Sequence, residues 1–206
     1  FPYTTLFRSR QQIELEKDKK KNILLSASLY TPGMDVIEFF NNSVEKVYCH
    51  VDDKKIVEKS NDEEIIIEND LAKIYKRPTV IEVFVLKKQK TIIFPIYGKG
   101  LWSTMYGFLS VNEDMKTIEG ISFYAHGETP GLGGEIENKI WQLSWKGKKL
   151  YQENKVVIDV VKHKAEKDYE IDALSGATIT TKGVENMVKY WFDLYQPLLQ
   201  QLKEKL

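Results

Sequence analysis

The most regular pattern in the chain lies near its C-terminal end. From Lys182 onward, Val184, Met187, Val188, Trp191, Leu194, Tyr195, Leu198, Leu199 and Leu202 recur at spacings of three and four, which is the repeat of one apolar face on an α-helix. Pro197 interrupts that face, and because proline lacks a donor N–H and clashes with the preceding turn, a kink or a second helical segment is expected there. Upstream the period shortens. "TVIEVFVLKK" and "TIIFPIYGKG" are β-rich runs separated by the turn "KKQK", and "MYGFLSVNEDMKTIEGISFYAH" reads as strand, Asn-Glu-Asp turn, strand, since β-branched and aromatic residues fill both arms. Pro95 inside the second run marks a sheet edge or a strand end. Four neighbouring strands joined by short turns predict an antiparallel sheet.

The remaining pattern is weaker. "EKVYCHV" and "KVVIDVV" each predict one more strand, and the charged "EKSNDEE" a solvated loop. From Gln11 to about Leu29 the apolar positions fit a helix loosely, "TPGMD" breaks it, and "VIEFF" (36–40) begins a short second helix. "ENKIWQLSWKGKK" predicts a further helix that Gly147 stops. The expected fold is a single α+β domain: a mainly antiparallel twisted sheet with flanking helices and a long C-terminal amphipathic helix. A chain of 206 residues suits one such core.

Composition narrows the function. Thirty basic residues balance thirty acidic ones, and neither sign forms a block longer than "EKDKKKN", which argues against a nucleic-acid partner. Cys49 is the only cysteine, so internal disulfides, CxxC pairs and thiolate metal cages are excluded; it reads as a small half-buried strand residue. Three scattered histidines with no HExxH spacing predict no metal site. No stretch reaches the roughly 18 apolar residues of a membrane span, so the chain as written reads as soluble. "FPYTTLFRS" resembles a translated sequencing adapter, and residues 1–9 are expected to be a non-native scar ahead of a domain spanning 10–206.

Two segments do not look like packing material. "HGETPGLGGE" (126–135) surrounds Glu128 and Thr129 with glycines directly after a strand. Such a loop either presents bare N–H groups to a flat or anionic ligand or simply turns the chain. "SGATITT" crowds the hydroxyls of Ser175, Thr178, Thr180 and Thr181 at a helix mouth, where they serve to cap the helix or to bind a phosphate. Local physics does not rank the four. Trp102, in "GKGLWSTMYGF", reads as core on composition alone, or as a stacking surface for a planar ligand.

Taken in order, "GKGLWSTMYGFLSV", "TIEGISFYAHGETPGLGGEIEN", "WQLSWKGKK" and "DALSGATITTKGV" resemble the C subunit of sodium-translocating NADH:quinone oxidoreductases over about residues 11–195. The resemblance implies an electron carrier without a catalytic acid, base or nucleophile of its own. In that family FMN is phosphoester-linked to the last threonine of an SGAT-type motif, which falls on Thr178, and a flavin transferase installs it from FAD with magnesium. Ser175, Gly176 and Ala177 would form the phosphate turn. Glu128, Thr129, Gly131 and Leu132 would line the isoalloxazine, with Trp102 and Ser103 close by, and Asp172 would assist attachment or serve as a surface acid. The implied partners are the other subunits of a membrane complex that reduces quinone and exports sodium. The implied location is the outer, periplasmic face of the bacterial cytoplasmic membrane, through a membrane helix upstream of residue 10. The G subunit of ferredoxin:NAD oxidoreductases shares the ETPGLG loop and the flavinylated threonine, but "GLWSTMYGF" and "KIWQLSWKGKK" favour the first family. A third possibility is an extracytoplasmic module that carries or senses flavin.

Overall fold

A computed structural model describes the backbone of residues 2–206 and the side chains of residues 12–67 and 69–206. The side chains of the segment expected to be a scar, residues 1–9, lie outside the described residues. In chain order the elements are helices α1 (Pro2–Ser26) and α2 (Val36–Ser43), strands β1 (Glu45–His50), β2 (Lys55–Val57), β3 (Glu64–Asn69), β4 (Ile74–Pro78), β5 (Val80–Leu86), β6 (Thr91–Lys99), β7 (Thr104–Asn112) and β8 (Ile118–Ala125). A 3-10 turn (Gly133–Glu137), α3 (Lys139–Leu143), β9 (Tyr151–Gln152), β10 (Lys155–Val156), β11 (Asp159–Val161) and β12 (Glu170–Asp172) follow. The chain closes with α4 (Thr178–Tyr195), a second 3-10 turn (Gln196–Leu198) at Pro197, and α5 (Leu199–Lys203).

Six strands form one antiparallel sheet in the order β2-β1-β5-β6-β7-β8. Helices cover both of its faces, so its central strands are apolar on both sides and lose the alternation of a half-exposed strand. In β5, Val83 and Val85 point into the larger core, which includes Val184, Met187, Val188, Trp191, Phe192 and Tyr195 of α4. Phe84 and Leu86 point the other way, into a smaller cluster with Ile23 and Leu24 of α1 and Val36 and Phe40 of α2. Small residues let α1 lie close against β7 and β8: Ser26 and Ser110 share a 2.8 Å hydrogen bond, and Ser122 Oγ donates to Asn22 O at 2.7 Å.

Pro95 sits in an interior strand, yet the reasoning that placed it at an edge holds locally. β6 pairs with β7 from Thr91 to Lys99 but with β5 only as far as Ile93, so the two strands fork and one side of β6 is an edge from Phe94 onward. Helix α4 fills the gap. Tyr195 Oη donates to Pro95 O at 2.8 Å and Trp191 Nε1 to Tyr97 O at 2.7 Å, supplying donors to part-buried carbonyls on the side of β6 that β5 has left.

The structure differs from several expectations. "KVVIDVV" is not one strand: Lys155–Val156 closes a hairpin with β9, whereas Asp159–Val161 pairs parallel with β12. The β3–β4 hairpin and β2 had no clear alternation to predict them. The helix predicted in "ENKIWQLSWKGKK" is a single turn, with Gly147 beyond it at φ +79°. Cys49 is fully buried rather than half-buried, and burial pushes its thiol up to about 12.

Gly183 fixes how closely α4 approaches the sheet. A Cβ there would collide with Lys99 O and lie 3.2 Å from Gly100 Cα, both backbone atoms that cannot swing aside. Glycine to alanine inside a helix ordinarily stabilises by about 1 kcal/mol, whereas overpacking costs about 1–3 kcal/mol. Gly183→Ala is therefore predicted to lower the urea midpoint, and a raised midpoint would show that α4 and β6 are not in tight contact.

Candidate functional site

The parallel pair β11–β12 delivers the chain to the start of α4. Gly176 adopts φ +72°, a conformation that costs glycine nothing, and Ala177 N donates to Leu174 O at 3.1 Å to close the turn. The helix begins at Thr178, four residues before the apolar repeat becomes clear, with Ala177 as its N-cap and no side-chain cap. Thr180 and Thr181, either of which could have been the N-cap, instead lie inside the first turn and are buried. Thr181 Oγ1 donates back to Ala177 O at 3.1 Å and Thr178 O at 3.2 Å, and Thr180 Oγ1 donates to Glu128 Oε2 at 2.6 Å. Ser175 and Thr178 are exposed.

Glu128 joins this turn to the loop after β6. Its carboxylate is buried and accepts five hydrogen bonds, from Thr180 Oγ1, the backbone N–H groups of Leu101, Trp102 and Ser103 at 3.2, 2.9 and 2.9 Å, and Ser103 Oγ at 3.2 Å. Ser103 Oγ in turn accepts from Gly127 N at 2.6 Å. Burial alone would raise the Glu128 carboxyl, but the Thr180 hydroxyl and the three N–H groups outweigh it and hold the group below its ordinary value. Glycines make room for the carboxylate: a Cβ on Gly100 would sit 2.6 Å from Oε1, and one on Gly133 would sit 2.9 Å from Oε2 and 2.7 Å from Thr180 Oγ1.

The residues singled out in the sequence therefore converge on one end of the sheet, with different parts to play. The carboxylate of Glu128 faces inward and acts as a clamp. Thr129 is exposed, and its carbonyl accepts from Leu132 N at 3.1 Å and Gly134 N at 2.9 Å. Gly131, at φ +71°, turns the loop between them. Leu132 is exposed, and its Cδ2 lies 3.0 Å from where a Gly176 Cβ would be, so the glycine-rich loop touches the SGAT turn. Trp102 is 67% exposed, contrary to its placement in the core by composition; the Glu128 clamp holds its backbone on the rim. Asp172 is exposed and accepts from Ala165 N at 2.5 Å, a strand-end contact. Sequence reasoning missed Thr180 as the partner of Glu128. No group of three or more metal-ligating side chains occurs among the described residues.

An exposed threonine at an uncapped helix start, a glycine-rich loop and apolar side chains on the rim suit a ligand with a phosphate at one end and a flat ring at the other. Residues 100–193 match the model of the FMN-binding domain family, which gives the class of the fold and site. The C subunit of the Na(+)-translocating NADH-quinone reductase of Haemophilus ducreyi is 38% identical over 219 residues, covering 96% of this chain and 85% of that one. Its counterpart from Neisseria meningitidis (strain MC58) is 46% identical over 144 residues, covering 66% of this chain and 56% of its own. The crystal structure of NqrC from Shewanella oneidensis superposes with a TM-score of 0.83 at 31% identity, over 91% of this chain and 98% of that one. The chain belongs to the family of Na(+)-translocating NADH-quinone reductase C subunits.

Replacing Glu128 with Gln keeps the shape but presents an amide NH2 to a cluster of donors. The expected loss is about 1–3 kcal/mol of stability at neutral pH, measured by urea unfolding. Because the folded carboxyl is held below its ordinary 4.5, its stabilisation is present above that value and fades as pH falls through the lower folded one. The gap between wild type and Glu128→Gln should therefore narrow below about pH 4.5. A gap independent of pH would mean that the ionised carboxylate is not what holds the clamp.

Proposed function

We propose that the chain is the FMN-carrying electron-transfer subunit of a Na(+)-translocating NADH-quinone reductase, with the flavin phosphate esterified to Thr178. The observation that carries this reading is the exposed Thr178 hydroxyl at the uncapped start of α4, inside the segment that matches the FMN-binding domain. When bound, FMN supplies electron transfer, and the protein contributes position and surroundings. Thr178 would anchor the phosphate, with Ser175, Gly176 and Ala177 shaping the turn beneath it. Thr129, Gly131 and Leu132 would form the floor under the ring, and Trp102, held with Ser103 by Glu128, its side. Leu101 and Ile179, 42% and 62% exposed, extend the apolar rim and help exclude water.

Among the described residues, His126 and Glu128, ionisable side chains of the 126–135 loop beside the rim, already hold contacts within the protein. Glu128 is consumed by its donors, and His126 Nδ1 accepts from Glu128 N at 3.2 Å, while its buried Nε2 lies 3.1 Å from Glu137 Oε1 without a hydrogen bond. This suits a relay between redox partners rather than a site that turns over its own substrate. Attachment by a flavin transferase, assembly with the other subunits, and a location on the outer face of the membrane through an upstream anchor complete the proposal and rest on family resemblance. Among the described residues no helix is long and apolar enough to cross a membrane.

Co-expression with a flavin transferase should give a protein band that fluoresces after denaturation. Thr178→Ala should abolish that fluorescence, whereas Ser175→Ala and Thr181→Ala retain it. A fluorescent Thr178→Ala band would refute the attachment site, and peptide mass analysis would locate the true one.

A further inference from the structure

A cleft of about 490 Å³ opens on the α1 side of the sheet, and neither Thr178 nor any residue of the 126–135 loop lines it. Its floor is a row of tyrosines from three adjacent strands: Tyr97 of β6, Tyr106 of β7 and Tyr124 of β8. Tyr97 and Tyr106 sit opposite each other with ring centroids 5.6 Å apart and an interplanar angle of 26°, and Tyr124 follows 6.1 Å from Tyr106. Where β5 and β6 fork, Trp191 and Tyr195 of α4 close the bottom.

This floor offers ring faces rather than hydrogen bonds. Trp191 Nε1, Tyr195 Oη and Tyr97 Oη are already given to Tyr97 O, Pro95 O and Lys76 O. The wall is acidic, with Asp62, Glu64 and Glu82 against Lys19 alone. Glu82 pairs with Lys46 at 2.8 Å, but among the described residues no basic side chain pairs with Asp62 or Glu64. The neighbouring lysines of α1 are engaged elsewhere, Lys20 with Glu16 and over the Phe40 ring, Lys21 over the Tyr30 ring. Aromatic faces attract cations, and so do carboxylates without a partner, so the cleft suits a cation that is also flat. A guanidinium meets both conditions, because it stacks on aromatic rings and forks onto carboxylate oxygens, whereas an ammonium is a compact point charge.

We infer that this cleft receives an arginine-bearing segment of another subunit, with the guanidinium laid on the tyrosine row and turned toward Asp62 and Glu64. Its volume falls in the range of about 300–1,000 Å³ that holds drug-sized ligands, which leaves room for the residues flanking the arginine. The chain belongs to a family of complex subunits, and a segment seated here fixes its orientation against a neighbour. The inference does not depend on where the flavin is attached.

Two measurements test it. In the first, the full chain is titrated calorimetrically with acetyl-tetraarginine amide, acetyl-tetralysine amide and N-acetyltryptophanamide. Tetraarginine should bind more tightly than tetralysine, and the neutral tryptophan amide most weakly. The double variant Asp62→Asn/Glu64→Gln, at two exposed positions, should weaken tetraarginine about fivefold or more and flatten its salt dependence. Tyr106→Ala should weaken it about threefold or more, and Lys19→Gln should tighten it. Glu204→Gln, exposed at the end of α5, should change nothing. A double variant that binds like the wild type overturns the inference, and so does tighter binding of the tryptophan amide, which would identify a site for a flat neutral ligand. In the second, p-benzoylphenylalanine replaces Tyr106 in the assembled, purified complex, and the peptide cross-linked on irradiation is sequenced. A segment of another subunit that contains arginine is expected. A cross-link to lipid, to a second copy of this chain or to a segment without arginine overturns the inference, as does no cross-link. Neither measurement reads the flavin, so either outcome leaves the assignment of Thr178 to its own test.

Discussion

A buried carboxylate needs enough donors to offset the water it gives up, and Glu128 has five. Hydrogen bonds to a charged acceptor contribute about 1.5–3 kcal/mol each, whereas the effective cost of burying one ion is several kcal/mol. The donors win as a set, and losing a few would reverse the balance. They belong to segments well separated in sequence, the loop after β6 and the first turn of α4, and Glu128 itself stands on the loop after β8. One side chain therefore fixes the relation among the loop after β6, the loop after β8 and the first turn of α4, where Thr178 stands. The glycines at 100 and 133 follow from this, because a Cβ at either would occupy the space of the carboxylate.

Helix α4 carries that local order into the core. Its C-terminal half gives Trp191 and Tyr195 to the carbonyls of β6, and Gly183 brings its second turn against the end of the same strand. The helix thus stands in for the missing part of β5 and is not free to slide or rotate. A group attached at its first residue, as proposed for Thr178, would inherit that rigidity, as expected of a site built on a regular element rather than on a free loop.

The sheet and the long helix were legible because their signals are strong: four β-rich runs with short polar turns between them, and an apolar stripe over several turns. The β3–β4 hairpin was not, since Tyr75 and Ile66 are exposed and the alternation on which a strand prediction depends is absent. "KVVIDVV" misled for the opposite reason. An unbroken apolar run gives no sign of where its pairing changes partner, and here it passes from an antiparallel hairpin to a parallel pair. Trp102 was placed in the core by composition, which cannot register that a buried glutamate holds its backbone at the surface. The partnership of Glu128 with Thr180 spans 52 positions, and nothing local in either segment indicates it.

The division among the four hydroxyls was nonetheless encoded in the apolar stripe. Counting back from Val184 by three and four reaches Thr181 and Thr180, and four before Thr181 is Ala177. All three are buried, so the inward face of α4 begins at its N-cap. With 3.6 residues per turn, positions 178 and 179 must then face outward, and Thr178 is the hydroxyl-bearing member of that pair. The repeat had been read only from Lys182 onward because threonine does not register as apolar, although here two threonines occupy core positions by bonding their hydroxyls to Glu128 and to backbone carbonyls. An outward Thr178 is thus a consequence of an inward Thr180. The interaction that secures the clamp also leaves Thr178 on the exposed side of the helix, at a start that no side chain caps.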